Sequence, residues 1–560
     1  MHPTVLFFVL LFLPGTSLRN WEQSNTPTLH RLIQTGAIAL MNARTAERDT
    51  ITTAGGERTI FAGARLYADD KEGILNYPAQ PDNLIFGLQK AGIAVVLDNP
   101  SRPAPAPEKG QRQFRTAELS GDWRGIDREI AAYSKLVSQS GGRLIIVSPN
   151  PTACDFRAQR QLTPILLWGN SVEHGFLVSP STNEAGLVAN TDIAETIAGA
   201  MGATLPTASY GEALYVAPRS SGSVVDLWTR ENRWVGQSTA MKTLPYIAAG
   251  LAVLILTAIL FDRTRRSIAV KVAAFAASVP LLLSLSSSIP ALLIICWAAL
   301  LILVRIKSAS NYISAISALT VLLIMLAALI PGGGPAAGSM LGYSPIEGAR
   351  FYGIGNEEMG ACIGALVVLT ALLNTKLAGR SIATAVWMIV GLCLSMPWAG
   401  AKAGALIVCF VSITAYWLAG NGKSLTLLSS SMILAASVVL SVIMLVISSH
   451  FGPRTHVTQT LSMVKSSGHG VILQTILRKA GMDLHLVFHS VWVWVLALTS
   501  YSRWQMRGRN TLFAFGTAAV IACLIFNDAG VVAAALCSLI IWGADFGGHQ
   551  KKTKVRAQAV

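Results

Sequence analysis

The chain is poor in charge, and poorer still in acid. Charged residues make up only 13% of its 560 positions, with 29 Asp and Glu against 44 Lys and Arg. Together with a hydrophobic content of 52%, this excludes a single soluble domain. Cysteine is scarce where it would matter for crosslinking. Of seven cysteines, only Cys154 lies in a polar region, whereas Cys296, Cys362, Cys393, Cys409, Cys523 and Cys537 fall in apolar segments. That excludes a disulfide framework and zinc-type spacing, and leaves packing as the role of these thiols. No internal repeat is visible, and no cofactor is implied.

What is present divides near residue 240. The first part is mixed and polar; the second is a series of apolar runs, most of them long enough to cross a hydrocarbon core. The formal charge of +15 does not indicate nucleic acid, because many Lys and Arg stand in short loops between apolar runs, as the positive-inside rule places them. Residues 5–14, VLFFVLLFLP, followed by Gly15, Thr16 and Ser17, read as the h-region and cleavage site of a signal peptide over 1–19, or as an uncleaved anchor. Residues 20–240 then form an exported domain. It alternates a helix from Thr26 to Met41, strands at 92–98, 143–148 and 163–169, and a helix with Ile126, Ile130, Tyr133 and Val137 on one stripe. This alternation predicts an α/β domain around a largely parallel sheet.

From Leu244 there are about eleven candidate spans, giving an all-α polytopic membrane domain over 241–546 and a basic cytoplasmic tail over 547–560. Basic residues follow every second span, which makes that side cytoplasmic and the N-terminal domain extracytoplasmic. The expected location is a bacterial inner membrane, crossed many times.

The outward side then holds the chemistry. GARFYGIGNEEMG, Gly348 to Gly360, sets Arg350, Tyr352, Asn356, Glu357 and Glu358 at the start of an apolar run. Ionisable groups at such a boundary are a functional-site hypothesis by default. The plainer reading is Asn356 as a helix cap followed by acids that favour the dipole; the active one makes a Glu a general base or a proton or cation site. AGAKAG places Lys402 between small residues, either snorkelling to headgroups or acting as a point charge for phosphate. The loop 449–483 carries Arg454, His456, Arg478 and Lys479, which suit anionic headgroups or a diphosphate. Asp528, after Asn527, caps a helix turn or joins the site.

LIIVSPNP (Leu144 to Pro151), LTPILLWG, HGFLVSPST and GLVANTDIAETI (Gly186 to Ile197) resemble the C-terminal half of the alkaline phosphatase superfamily. That resemblance implies its α/β fold. It does not imply its activity: Pro149 and Asn150 stand where the superfamily has an Asp-His metal pair, and Thr52 and Thr53 lie near the expected nucleophile. The domain is expected to be a pseudoenzyme that holds no metal. Gly353 to Asn356 and Ala401 to Leu406 bear a fainter similarity to O-antigen ligases and polymerases, with Glu357-Glu358 replacing Pro-Asn and Ala401-Lys402 replacing Ser-Arg.

The expected function is cell-envelope work: binding or transferring a lipid-linked, polyprenyl-phosphate glycan at the outer face. Arg350, Tyr352, Asn356, Lys402, Arg454, Arg478, Lys479 and Asp528 would bind it, and Glu357, Glu358 or His456 would act as base. The expected partners are membrane lipid or that substrate, with other envelope-assembly proteins and no nucleic acid. The alternatives are a transporter or flippase whose carboxylates couple to protons, and a sensor whose phosphatase-like domain binds a ligand.

Overall fold

The computed structural model describes residues 5–47, 50–68, 83–108, 110–206, 209–217, 220–285, 288–305, 309–329, 338–348, 351–372, 377–396, 399–421, 484–506, 512–527 and 529–548, with 431–432, 435–436, 439, 443 and 481. They form a mixed α/β unit, Met1–Ser238 with Ser344–Phe351, and a helical unit, Thr239–Tyr343 with Tyr352–Val560.

The α/β unit is built on one sheet. Its strands are β1 (Phe7–Phe12), β2 (Ala37–Asn42), β3 (Ala94–Leu97), β4 (Gln113–Glu118), β5 (Arg143–Val147), β6 (Leu162–Gly169), β7 (Gly175–Val178), β8 (Leu187–Ala189) and β9 (Tyr215–Val216). They run in the order β3-β4-β1-β5-β6-β2-β7-β9, with β8 also paired to β2. Pairing is parallel except where β6 meets β5 and β2, and where β9 meets β7. Helices α1 (Leu18–Gln23), α2 (Pro27–Thr35), α3 (Thr53–Ala62), α4 (Asn83–Lys90), α5 (Trp123–Ser140), α6 (Ala153–Arg157) and α7 (Asp192–Met201) complete the unit. In α5, Asp122 caps the first turn and Ile126, Ile130, Tyr133 and Val137 are all buried, as their spacing requires.

Two sequence expectations change here. The run expected to be a signal-peptide h-region is β1, an inner strand with all six residues buried, paired in parallel to both β4 and β5. A strand covered on both faces reads as one continuous apolar run, the same pattern as an h-region. The expected cleavage site is a turn: Gly15 has φ +62°, and Ser17 caps α1 in a capping box with Asn20. The helix expected over 26–41 stops at Thr35, and the rest is β2. Gly36 forms the break, because a Cβ there would lie 2.7 Å from the carbonyl oxygen of Leu167.

The helical unit begins within α8 (Val224–Leu260) and continues through α9 (Asp262–Leu282), α10 (Ile289–Arg305), α11 (Ala309–Leu329), α12 (Asn356–Leu372), α13 (Leu377–Ser395), α14 (Ala403–Gly420), α15 (Val491–Gln505), α16 (Leu512–Phe526) and α17 (Gly530–Gly548). The expected span at 424–448 lies largely outside the described residues. By length and composition, two described helices can cross a membrane, Val224–Leu260 and Ala378–Ser395; several others are apolar but shorter. At the centre, α12 and α17 pack in parallel through small residues. A Cβ on Gly360 would sit 2.5 Å from the Ala533 carbonyl oxygen, and one on Gly364 3.2 Å from that of Cys537. This GxxxG spacing lets two backbones approach closely. Peripheral helices turn large apolar side chains outward, among them Ile294 and Trp297 of α10, Ile389 of α13 and Trp494 of α15.

Candidate functional site

In the helical unit, two loop segments cross just ahead of two helix starts. The backbone N–H of Ile354 donates to the Gly400 carbonyl oxygen at 2.8 Å. Gly353 makes that approach possible with φ +86°, and a Cβ there would lie 2.5 Å from the same oxygen. Opposite it, Ala401 adopts φ +50°, a left-handed conformation that costs a non-glycine residue about 1 kcal/mol. The Tyr343 hydroxyl donates to the Ile354 carbonyl and fixes the loop from a third side.

The crossing brings α12 and α14 start to start, each presenting the positive end of its dipole. Lys402, at the cap of α14, is buried with 5% exposure, and its ammonium donates to Asn356 Oδ1. It lies within electrostatic reach of both Glu357 and Glu358. Glu358 is 1% exposed. Its Oε2 accepts from the N–H of Gly355 at 3.0 Å, so Gly355 precedes the helix and Glu358 closes back on it, half of a capping box. This corrects the reading of Asn356 as the cap: Asn356 is the first helical residue and spends its side chain on Lys402. Glu358 Oε1 is buried with no hydrogen-bond partner among the described residues. Tyr352 is half-buried in the bend before Gly353. The corner between α16 and α17 abuts α14, where a Cβ on Gly404 would collide with the Phe526 carbonyl oxygen.

Of the expected site residues, the structure brings together Asn356, Glu357, Glu358 and Lys402. Arg350, Arg454, His456, Arg478, Lys479 and Asp528 lie outside the described residues. The cluster holds two carboxylates and one ammonium. Fully ionised it carries one net negative charge, and one bound proton neutralises it. Lys402 already donates to Asn356 and faces two acids, so it is poorly placed to serve as a phosphate ligand.

In the α/β unit, the carboxyl ends of β1 and β5 meet at Asn150. Its Oδ1 accepts from the Gly15 N–H at 3.2 Å and from the Thr53 hydroxyl at 3.0 Å, while Ser148 Oγ accepts from the Thr16 N–H at 3.2 Å. The donor set at this position is hydroxyl and amide, satisfied internally. It does not fit the metal pair that the superfamily resemblance would require. Among the described residues no three of His, Cys, Asp and Glu form a candidate metal-ligand group. His174 lies between the carbonyls of Gly36 and Ser221, at 3.0 and 2.9 Å.

Sequence reasoning missed a second constellation in this unit, where residues 344–348 lie against the end of β2. Asn42 Nδ2 donates to the carbonyls of Pro345 at 2.7 Å and Ile346 at 3.2 Å. Arg44 Nη1 donates to the carbonyl of Glu347 at 2.8 Å and pairs with its carboxylate at 3.0 Å. Arg65 Nη2 donates to the Gly348 carbonyl at 2.5 Å. The only sequence signal was a polar residue, Asn42, ending an apolar run.

No family model and no curated protein matches this chain. Among solved structures it is similar to the alkaline phosphatase from the Antarctic bacterium TAB5, at 13% identity over 36% of this chain and 99% of that one, with a TM-score of 0.23. It is also similar to the PH0037 protein from Pyrococcus horikoshii, at 12% identity over 36% of this chain and 98% of that one, with a TM-score of 0.21.

Proposed function

We propose that the chain is a multispanning protein of a bacterial cytoplasmic membrane whose helical unit carries a lipid-linked cell-envelope substrate, driven by a proton bound at Glu357, Glu358 and Lys402. The observation behind this reading is the burial of Glu358 and Lys402 inside an apolar bundle beside a half-buried Glu357, with Glu358 Oε1 left without a partner among the described residues. A buried acid–lysine group can take up and release a proton as its surroundings open and close, whereas a phosphate ligand must face its substrate. The outward apolar side chains of α10, α13 and α15 suit contact with lipid. A polyprenyl phosphate is the substrate class favoured by the basic residues of loop 449–483. The same loop favours a second reading, in which the substrate is not moved but transferred, with Glu357 or Glu358 activating an acceptor hydroxyl.

The two readings separate in proteoliposomes holding a fluorescent polyprenyl diphosphate. The carrier reading expects the probe to change leaflets faster when a pH gradient is imposed, and expects Glu358→Gln to abolish that acceleration while the probe stays chemically intact. A covalently altered probe that forms without any gradient would support transfer and overturn the carrier.

A further inference from the structure

Residues 344–348 and Phe351 are remote in sequence from the rest of the α/β unit, yet they pack as part of it. Ile346 is buried in the hydrophobic core shared with Leu40 and Leu162, and Phe351 packs on the same core. The polar contacts are more selective. Three side chains, Asn42, Arg44 and Arg65, donate to four consecutive backbone carbonyls, those of residues 345–348. Gly348 is required by the approach: it has φ +59°, and a Cβ there would fall 2.5 Å from the Asn42 amide. Asn42 is itself 1% exposed, so its two donated bonds replace water that it cannot reach. Its carbonyl and that of Arg44 are held in turn by Asn190, through its N–H and Nδ2. This is a built binding site for a backbone turn, one closed on itself by the Gly348 N–H donating to the Ser344 carbonyl at 3.2 Å.

The bound segment does not end freely. Phe351 is bonded to Tyr352, and two residues later the chain enters the loop that sets Gly355 and Glu358 at the start of α12. We propose that the α/β unit is a peptide clamp, and that Asn42, Arg44 and Arg65, by gripping the carbonyls of residues 345–348, hold the loop that positions the Glu357–Glu358–Lys402 cluster. The second half of this inference rests on reading that cluster as the working site; the first half does not. The bonds are to backbone, so the grip selects the conformation of the segment more than its side chains. Glu347, paired with Arg44, and Gly348 are the two positions where residue identity counts.

Hydrogen exchange on the full-length protein in lipid nanodiscs tests this without any substrate. Asn42→Ala removes two donors from the clamp. Gly348→Val blocks seating from the segment's side and leaves the sheet untouched, so misfolding of the first variant does not end the test. Protection of β5 amides reports whether the sheet stays intact. The clamp expects the amides of Ser344 and of residues 346–348 to exchange about tenfold faster in both variants, and amides of residues 352–358 to follow them. Unchanged exchange at 344–348 would overturn the clamp. Faster exchange at 344–348 with 352–358 unmoved would overturn its control of the cluster, and neither result depends on whether the protein is a carrier.

Discussion

At the scale of single residues, Lys402 and Glu358 sit where charge is expensive. Burying each ion costs several kcal/mol, and the bonds from Lys402 to Asn356 and from the Gly355 N–H to Glu358 return about 1.5–3 kcal/mol each. Buried charge of this kind gathers at functional sites. Glu57, in α3, shows the same conflict outside the helical bundle. Burial, with Glu118 adding repulsion, raises its pKa from 4.5 to about 7. The folded state then holds a proton that the unfolded chain has released. Stability from this group is full below about pH 4.5 and is lost as pH rises through about 7. Thermal unfolding of the α/β unit should fall between pH 5 and pH 8, and Glu57→Gln should flatten that fall; an identical decline in the variant would show that Glu57 is not its source.

At the scale of elements, α12 and α17 depend on the absence of side chains between them. Gly360→Val would push a branched side chain into the Ala533 backbone, which already lies 2.5 Å from the position of a Cβ. We expect it to lower stability by at least about 2 kcal/mol, while Gly250→Ala in α8, with nothing within 4 Å, should change little. Equal melting temperatures for the two variants in detergent would contradict that packing. Elements with a period were legible in the sequence: the stripe of α5, the strands β3, β5 and β6, and most apolar helices appear where spacing puts them. β1 was not, because ten apolar residues fit an export signal and a fully buried strand equally well. The end of β2 was hidden for a related reason. AIALMN carries no period that separates strand from helix, and the close approach at Gly36 that breaks α2 is made to Leu167, far along the chain. Within the candidate site, the charged residues could be read from sequence, but not their pairing. Nothing local indicates that Asn356 serves Lys402 rather than its own helix end, or that Asn42 reaches residue 345.

At the scale of the whole molecule, both units bury polar and charged groups, one around a sheet and the other within a helical bundle. In the first, the Asp192 carboxylate accepts from Ser179, Ser181 and the N–H groups of Ala189 and Glu212, at 2.7 to 3.1 Å. In the second, Glu358 keeps an acceptor that lacks a partner among the described residues. The proposed function requires that the Glu358 cluster exchange a proton. Infrared difference spectroscopy on protein with isotopically labelled glutamate measures this directly, through the C=O stretch of a protonated carboxyl group. We predict a band that appears and disappears reversibly as pH is cycled and is absent in Glu358→Gln. A spectrum without such a band, or one unchanged by the substitution, would contradict the proposal.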